Sequence, residues 1–381
     1  MIGVSICAKE RGRLRSRIST HRRKQRQGRD EGAPRVSSSL ERSLHPIGMG
    51  KLERAKRVGR KYQTPVATTV GGLSVMVKVL PELIRGRRNR VPQDALGPFR
   101  TDVSVYATPP ESGLRVTWFG HSSLLVEMDG ARILIDPVWD ERAAPVQWFG
   151  PKRFFPPAMR LEDMPPLDAV LISHDHYDHL SKGTVQELAR LMPEVRWITS
   201  LGVGAELRPF GVKADKITEL DWTETVPVGK ISVTSVPSRH FSGRSLVNRN
   251  ETLWGSFVLA GPEHRVFYGA DSGLWDGFRT IGAEYGPFDL TMLEIGAFNE
   301  LWKDIHLGPD GAVEAFEMLG GGLLMPIHWG MFDLATHGWK EPIERIWELE
   351  VPVFSPELGK ATEVGAVRSE WWREFSVEVD G

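Results

Sequence analysis

The stretch LISHDHYDHL, residues 171–180, decides how this chain is read. Three histidines and two aspartates stand directly behind an apolar run. Residues 168–173, DAVLIS, read as a buried strand, and LSKGTVQELARLM, from residue 180, reads as the start of a helix. Ionisable groups on a short loop between two rigid elements are what a site requires. His174 and His176 are two apart, so in extended backbone they point the same way. Asp178 and His179 follow as the chain turns. One cation cannot easily take all four from so short a loop, but two adjacent cations can. Imidazole and carboxylate ligands suit zinc, and also iron or manganese. A solvated polar loop is the bland alternative, and it leaves the density of HxHxDH behind a buried strand unexplained.

Working outward, three more candidates share the same grammar. His240 follows ISVTSVPSR, Asp271 follows RVFYGA, and His328 follows GGGLLMPI. Alone, each is more often a core-edge residue with a satisfied hydrogen bond. Together they complete two sets: His174, His176 and His240 for one cation, and Asp178, His179 and His328 for the other. Asp271 stands between them, since a carboxylate can bridge cations about 3.5–4 Å apart. Two such cations lower the pKa of a bridging water from about 15.7 towards 7, and the resulting hydroxide attacks phosphorus or a carbonyl carbon.

The surrounding texture places these residues in a sandwich of sheets. LRVTWFG, SSLLVEMDG, ARILIDPVW, LDAVLIS, VRWITS, ISVTSVPS, SFVLAGPEHRVFYGAD and FDLTMLEIG read as strands between Gly and Asp turns. KGTVQELARLM and PDGAVEAFEML read as helices. Early meander-like strands followed by alternating strands and helices predict sheets covered by helices.

The order TWFGHSSLLVEMDGARILIDPVW, GPKRF, LDAVLISHDHYDHL, ELDW, PSRHFSGRSLVNRNETLWGSF, FYGADSG, GPFDL, IGAF and IHWGMFDLA resembles the metallo-β-lactamase fold superfamily. More narrowly, it resembles the N-acyl-phosphatidylethanolamine-hydrolysing phospholipases D and their bacterial relatives, over roughly residues 60–345. The resemblance implies an α/β chain folded as an αββα four-layer sandwich, a dinuclear centre that is usually zinc, and hydrolysis of phosphodiesters or other esters. It carries the seven ligands over to the positions named above, with Asp178 and Asp271 also catalytic. It places His306 over the site, to bind substrate or assist the leaving group. It places His121 near the metals, as a supporting or substrate-binding group; a buried histidine bonded to backbone is the alternative. The chain departs from the family in FNELWKDIH, residues 298–306, which is shorter than the family segment, and in GADSG where GDTG-like sequences are common. The first departure bears on the lipid substrate more than on the metal chemistry.

Composition bounds the remaining readings. The chain has 381 residues and a net charge of −1, which shows no overall commitment to nucleic acid. Residues 1–48 carry 12 Lys/Arg against 4 Asp/Glu, leaving 36 against 45 for the rest. That basic, Ser-rich segment reads as a disordered tail. A transit peptide, an RNA- or lipid-attracting arm, or an over-extended start before Met49 are its alternatives. Residues 49–100 read as an N-terminal extension and 101–381 as the hydrolase domain. Within the extension, residues 66–84 are mostly apolar and precede Arg85, Arg87, Arg88 and Arg90. They read either as an interfacial amphipathic helix or as a helix packed on the core, and not as a transmembrane span. A single cysteine, Cys7, excludes an internal disulfide framework and suits a reducing, cytoplasmic setting, with peripheral contact at the inner membrane face.

The partners expected are a phospholipid or other ester substrate and a second copy in a homodimer. The rival functions are a lactonase-like hydrolase, a nuclease using the basic arm, and a non-catalytic metal-binding protein. Trp118, Trp254 and Trp329 are expected in the core. Trp139, Trp148 and Trp302 are expected along a greasy groove. His264 is expected exposed in a hairpin turn, and His337 in a solvated loop, with a place along the pocket as its alternative.

Overall fold

Side chains alternate across each strand with a period of two, and here both faces of the first sheet are apolar. In β5 (Ala131–Ile135), Ile133 and Ile135 face one core while Leu134 faces another. The same division holds in β6 (Ala169–Ile172), with Ala169 and Leu171 on one side and Val170 and Ile172 on the other. A strand buried on both faces must sit between two layers. One is a second sheet. The other is α1 (Lys182–Leu191), which contributes Val185 and Leu188 to the outer core.

The computed structural model describes residues 51–70, 78, 79, 81, 89–245, 247–365 and 367–375. The expected tail, residues 1–48, lies outside them, as does most of the apolar stretch 66–84 and its basic flank up to Arg88.

The first sheet has seven strands in the order β15-β3-β4-β5-β6-β7-β8. Besides β5 and β6 it holds β3 (Leu114–Gly120), β4 (Ser123–Met128), β7 (Arg196–Ser200), β8 (Ile217–Leu220) and β15 (Thr362–Glu363). Its β3–β4–β5 part is an antiparallel meander, and β5 to β8 run parallel. The second sheet has six strands in the order β14-β13-β12-β11-β10-β9. These are β9 (Thr225–Val228), β10 (Ile231–Val236), β11 (Ser256–Ala260), β12 (Arg265–Tyr268), β13 (Leu290–Glu294) and β14 (Leu323–Ile327). The last three are parallel. Beyond it lie helices 277–285, 308–318 and 341–348, whose Phe278, Ile281, Phe316, Ile343 and Ile346 join the main core. The four layers are therefore helix, sheet, sheet, helix. A two-stranded hairpin, β1 (Arg57–Val58) and β2 (Lys61–Tyr62), stands apart from both sheets.

Parallel strands place their C-terminal ends on one side, and ligand sites in α/β sheets form there. The loops after β5, β6, β12 and β14 carry Asp136, His174 to His179, Asp271 and His328. Several residues there adopt left-handed backbone without being glycine: His121 (φ 51°), Asp136 (φ 38°), Ala270 (φ 48°) and His328 (φ 65°). Such conformations carry strain and persist only where the surroundings over-determine them. Gly273 serves the same region. A Cβ there would collide with the Asp304 carbonyl, so only glycine lets the 299–306 loop lie against the Asp271 loop.

Candidate metal centre

The loop from β6 to α1 presents His174, His176, Asp178 and His179 in one turn. Asp136, at the end of β5, fixes it. The Asp136 carboxylate accepts hydrogen bonds from the Ser173 amide (2.7 Å), the Ser173 hydroxyl (2.5 Å) and His179 Nδ1 (2.7 Å), and from Tyr268 of the second sheet. With Nδ1–H committed to a carboxylate, His179 turns its Nε2 edge into the site, where losing the Nε2 proton would free a lone pair for a cation. His240 is set the same way, donating Nδ1–H to the Ile305 carbonyl at 2.8 Å. Asp175 is fully buried but points away, accepting from the Gly243 amide at 2.7 Å and the Thr252 hydroxyl at 2.8 Å, which ties the ligand loop to the loop after β10.

The donor atoms fall into two groups that share Asp271. In one, ligand atoms of His174, His176, His240 and Asp271 all lie within 4.8 Å of one another. His174 Nε2 is 2.9 Å from His176 Nδ1, and His240 Nε2 is 3.3 Å from that same atom. Asp271 Oδ2 is 3.9 Å from His174 Nε2 and 3.6 Å from His240 Nε2. In the other, His328 Nε2 is 3.3 Å from Asp178 Oδ2, and His179 Nε2 is 3.7 Å from it. Asp271 Oδ1 is 3.1 Å from both histidines. Asp271 thus offers one oxygen to each group.

Ligands at about 2.0–2.1 Å around a tetrahedral cation stand roughly 3.3 Å apart, and these separations bracket that value. His179 Nε2, His328 Nε2 and Asp271 Oδ1 are buried without a hydrogen-bond partner. Buried polar atoms left unpaired cost stability, and three converging on one point fit a cation. The residues present could hold one cation in each group.

Charge in the metal-free arrangement follows burial and the two carboxylates. Burial, helped by neighbouring imidazoles, holds His174 and His240 well below the usual imidazole range. Burial and the adjacent His328 push His121 down to about 3, so it is neutral. Burial also opposes charge on His328, but Asp271 and Asp178 outweigh it and push this imidazole up to about 10. Burial would raise Asp178 and Asp271 too, yet the charge of His179 beside each holds both well below the usual carboxylate range.

A cavity of about 270 Å³ opens onto the two groups. His176, Asp178, His240, Asp271, His306 and His328 line it on the polar side. Val70, Phe241, Ala297, Trp302, Ile305 and Leu334 line it on the apolar side. His306 is held through Nδ1 by Glu294 at 2.5 Å. Glu294 also accepts from the Ser272 amide at 2.8 Å and the Leu307 amide at 3.2 Å.

Several sequence expectations change here. His121 does not line the cavity. It is buried, and its Nε2–H donates to Asp178 at 2.9 Å, which positions that carboxylate and fits the supporting role rather than the substrate-binding one. Of the three loop tryptophans only Trp302 reaches the cavity. Trp139 packs on Phe119 and donates to the Met159 carbonyl at 2.7 Å, while Trp148 is 81% exposed. His264 is no solvated turn residue, because its Nδ1 meets Asp129 at 2.6 Å. His337 is half-buried and stacks on Phe298 with rings 4.7 Å apart. Trp118, Trp254 and Trp329 are buried as expected. Asp136 and Glu294 were not singled out in the sequence. Asp136 ends an apolar strand in ILIDP, the signal used for the ligands themselves, whereas Glu294 is a lone acid within TMLEIG.

A family model described as the β-lactamase superfamily domain matches residues 131–329, over half of the chain. An uncharacterized protein of Mycobacterium tuberculosis is 48% identical over 271 residues, 69% of this chain and 72% of that one. N-acyl-phosphatidylethanolamine-hydrolyzing phospholipase D 1 of Caenorhabditis elegans is 38% identical over 250 residues, 63% of this chain and 70% of that one. Two solved structures share the fold. Igni18, a metallo hydrolase of Ignicoccus hospitalis, superposes with a TM-score of 0.51 at 21% identity, covering 66% of this chain and 98% of its own. An isothiocyanate hydrolase from Delia radicum gut bacteria does so with a TM-score of 0.53 at 18% identity, covering 66% and 100%. Family match, four-layer fold and clustered metal-ligating side chains agree: the chain belongs to the metallo-β-lactamase fold superfamily.

Proposed function

We propose that this metal-dependent hydrolase is a dinuclear phosphodiesterase of phospholipase D type, acting on amphiphiles resembling N-acyl phosphatidylethanolamine. The observation that carries the reading is the cavity, with cation-ligating groups on one side and an apolar wall on the other. The likeness to the nematode phospholipase supports the choice of substrate class.

When bound, two divalent cations, zinc or else iron or manganese, supply Lewis acidity, charge neutralisation and a water that ionises near pH 7. The chain's own groups do the rest. Asp271 divides its two oxygens between the ligand sets, and His121 holds Asp178 in place. His306, fixed by Glu294, reaches the cavity, which supports giving it the protonation of the leaving alkoxide. Hydrolysis breaks one P–O ester bond; the oxygen of water goes to phosphorus and its proton goes to the departing alcohol.

A peripheral membrane contact fits the same reading. No helix among the described residues is long and apolar enough to cross a membrane. The loop after β5 instead displays Trp148 and Phe149, which are 81% and 72% exposed. Arg142 fixes that tip by donating to the Gln147 carbonyl (3.2 Å) and the Gly150 carbonyl (2.6 Å). Exposed aromatics on a rigid tip suit the headgroup region of a bilayer.

The test is a substrate panel on purified, metal-loaded protein: N-acylated phosphatidylethanolamine in anionic vesicles, bis(p-nitrophenyl) phosphate, simple esters and lactones. The reading predicts that the lipid is cleaved best. Efficient turnover of a lactone with the lipid untouched would make the protein a lactonase-like enzyme.

A further inference from the structure

Two of the residues lining the cavity lie outside the matched β-lactamase domain: Leu334, just past its end, and Val70, far before its start. Val70 comes from the N-terminal segment, 61 residues before that domain begins, yet it lines the cavity beside His176, His240, Asp271 and His306. Its placement is built at both ends of a short strap. At the start, the Tyr62 amide donates to the Asn250 carbonyl at 2.8 Å, and Arg60 pairs with Glu251 at 3.1 Å. Near the end, Arg239 donates to the Ala67 carbonyl (2.9 Å) and the Thr68 hydroxyl (3.4 Å), and Asp304 accepts from the Thr69 amide at 2.9 Å. Arg239 and Asp304 also pair with each other at 2.8 Å. Arg239 precedes His240, and Asp304 lies two residues before His306. The loops that deliver two cavity histidines are therefore the loops that hold the strap down.

We propose that residues 64–70 form a specificity strap, in which Val70 selects substrates carrying a long hydrocarbon arm by completing the apolar wall with Phe241, Trp302, Ile305 and Leu334. The clamp is only partly exposed, at 17% for the Arg239 side chain and 24% for Asp304, so water does not dissolve it as it does a surface pair. Two hydrogen bonds to strap backbone and one to the Thr68 hydroxyl, from side chains themselves joined by an ion pair, fix residues 67–69 next to Val70, which makes the wall a preformed surface. The arm would leave the polar floor and run against Val70, gaining contact that a small soluble phosphodiester cannot make. This inference rests on the amphiphile reading of the cavity.

The experiment compares Val70→Trp, Val70→Ala and the parent chain in two assays. The first measures kcat and KM for N-acylated phosphatidylethanolamine and for bis(p-nitrophenyl) phosphate. The second uses metal-free protein and measures, by fluorescence anisotropy, binding of a labelled long-chain N-acylethanolamine. Val70→Trp should raise KM for the lipid about tenfold more than it changes KM for the small substrate, because a pocket contact of this size discriminates by roughly that factor. Affinity for the labelled amphiphile should fall in parallel, and Val70→Ala should shift the same quantities by less. Equal changes for both substrates, or unchanged amphiphile binding in both variants, would overturn the strap. If the parent chain cleaves neither phosphodiester, the reading of the reaction fails, while the binding assay still decides the role of Val70.

Discussion

On the seven-stranded side, one loop delivers His174, His176, Asp178 and His179 within six residues. On the six-stranded side, His240, Asp271 and His328 arrive from three separate loops, 31 and 57 residues apart in sequence. The first set is a matter of local chain geometry. The second depends on strand register, since Tyr268 must pair with Met292, and Glu294 with Ile327, for Asp271 and His328 to emerge together. Each side also has its own buried acid. Asp136 braces the ligand loop and reaches across to Tyr268, while Glu294 braces His306 and the start of the Asp271 loop. The contrast separates two tasks. Asp136 orients a candidate metal ligand, whereas Glu294 orients a histidine that lines the cavity.

Substitutions should divide the two sides accordingly. The largest effect is expected for Asp136→Ala, which strips the Ser173 amide, the Ser173 hydroxyl, His179 and Tyr268 of a shared partner. Groups that orient ligands typically contribute about 10–100-fold to metal affinity, so competition with a chelator should show a loss of that order, together with a lower melting temperature. Metal affinity equal to that of the parent chain would break the comparison.

A smaller effect is expected for Glu294→Gln, which keeps an acceptor for His306 but removes the charge. Here kcat should fall about tenfold at an unchanged metal content, less than the roughly 10²–10⁴-fold that a proton-transfer group itself contributes, because His306 stays in place. A loss of metal instead would make Glu294 a brace for the ligands, and the two acids would then be equivalent.

The smallest effect lies far from both. Asp129, in the β4–β5 turn, accepts hydrogen bonds from His264 and from the Glu263 and His264 amides of the β11–β12 turn, tying one sheet to the other. Asp129→Asn should cost about 1–2 kcal/mol of stability with no change in turnover. Burial would raise the Asp129 carboxyl, but its bonds to His264 and the amides hold it below the usual range. Its contribution is therefore full above the unfolded carboxylate value, near pH 3.9, and is lost as pH falls through the lower folded value. The stability gap between variant and parent should be constant near neutrality and close at acid pH, which urea titrations at several pH values would read.

The same contrast explains what could be read from sequence. The ligand loop was legible because a strand, a dense cluster and a helix start lie in consecutive residues. His240, Asp271 and His328 were legible only as repeats of that grammar. The helices at 182–191 and 308–318 and most strands were also legible, from their periodicity. The β8 and β9 strands were not, because each carries exposed or half-buried positions and no clean alternation. Glu294 escaped because a single acid inside an apolar strand has no sequence partner; its partner, His306, is chosen by the fold. For His121 the proximity to the candidate metal site is legible, whereas its direction depends on a left-handed backbone at 121 and the approach of Asp178.

We propose that Asp271 joins two cation sites into one centre. Metal analysis of the purified chain and of Asp271→Asn, each reconstituted with zinc, iron or manganese and desalted, tests this most directly. Two ions per parent chain are expected, with a loss from both sites in the variant and loss of turnover. One ion per parent chain, or a variant that keeps both, would contradict it.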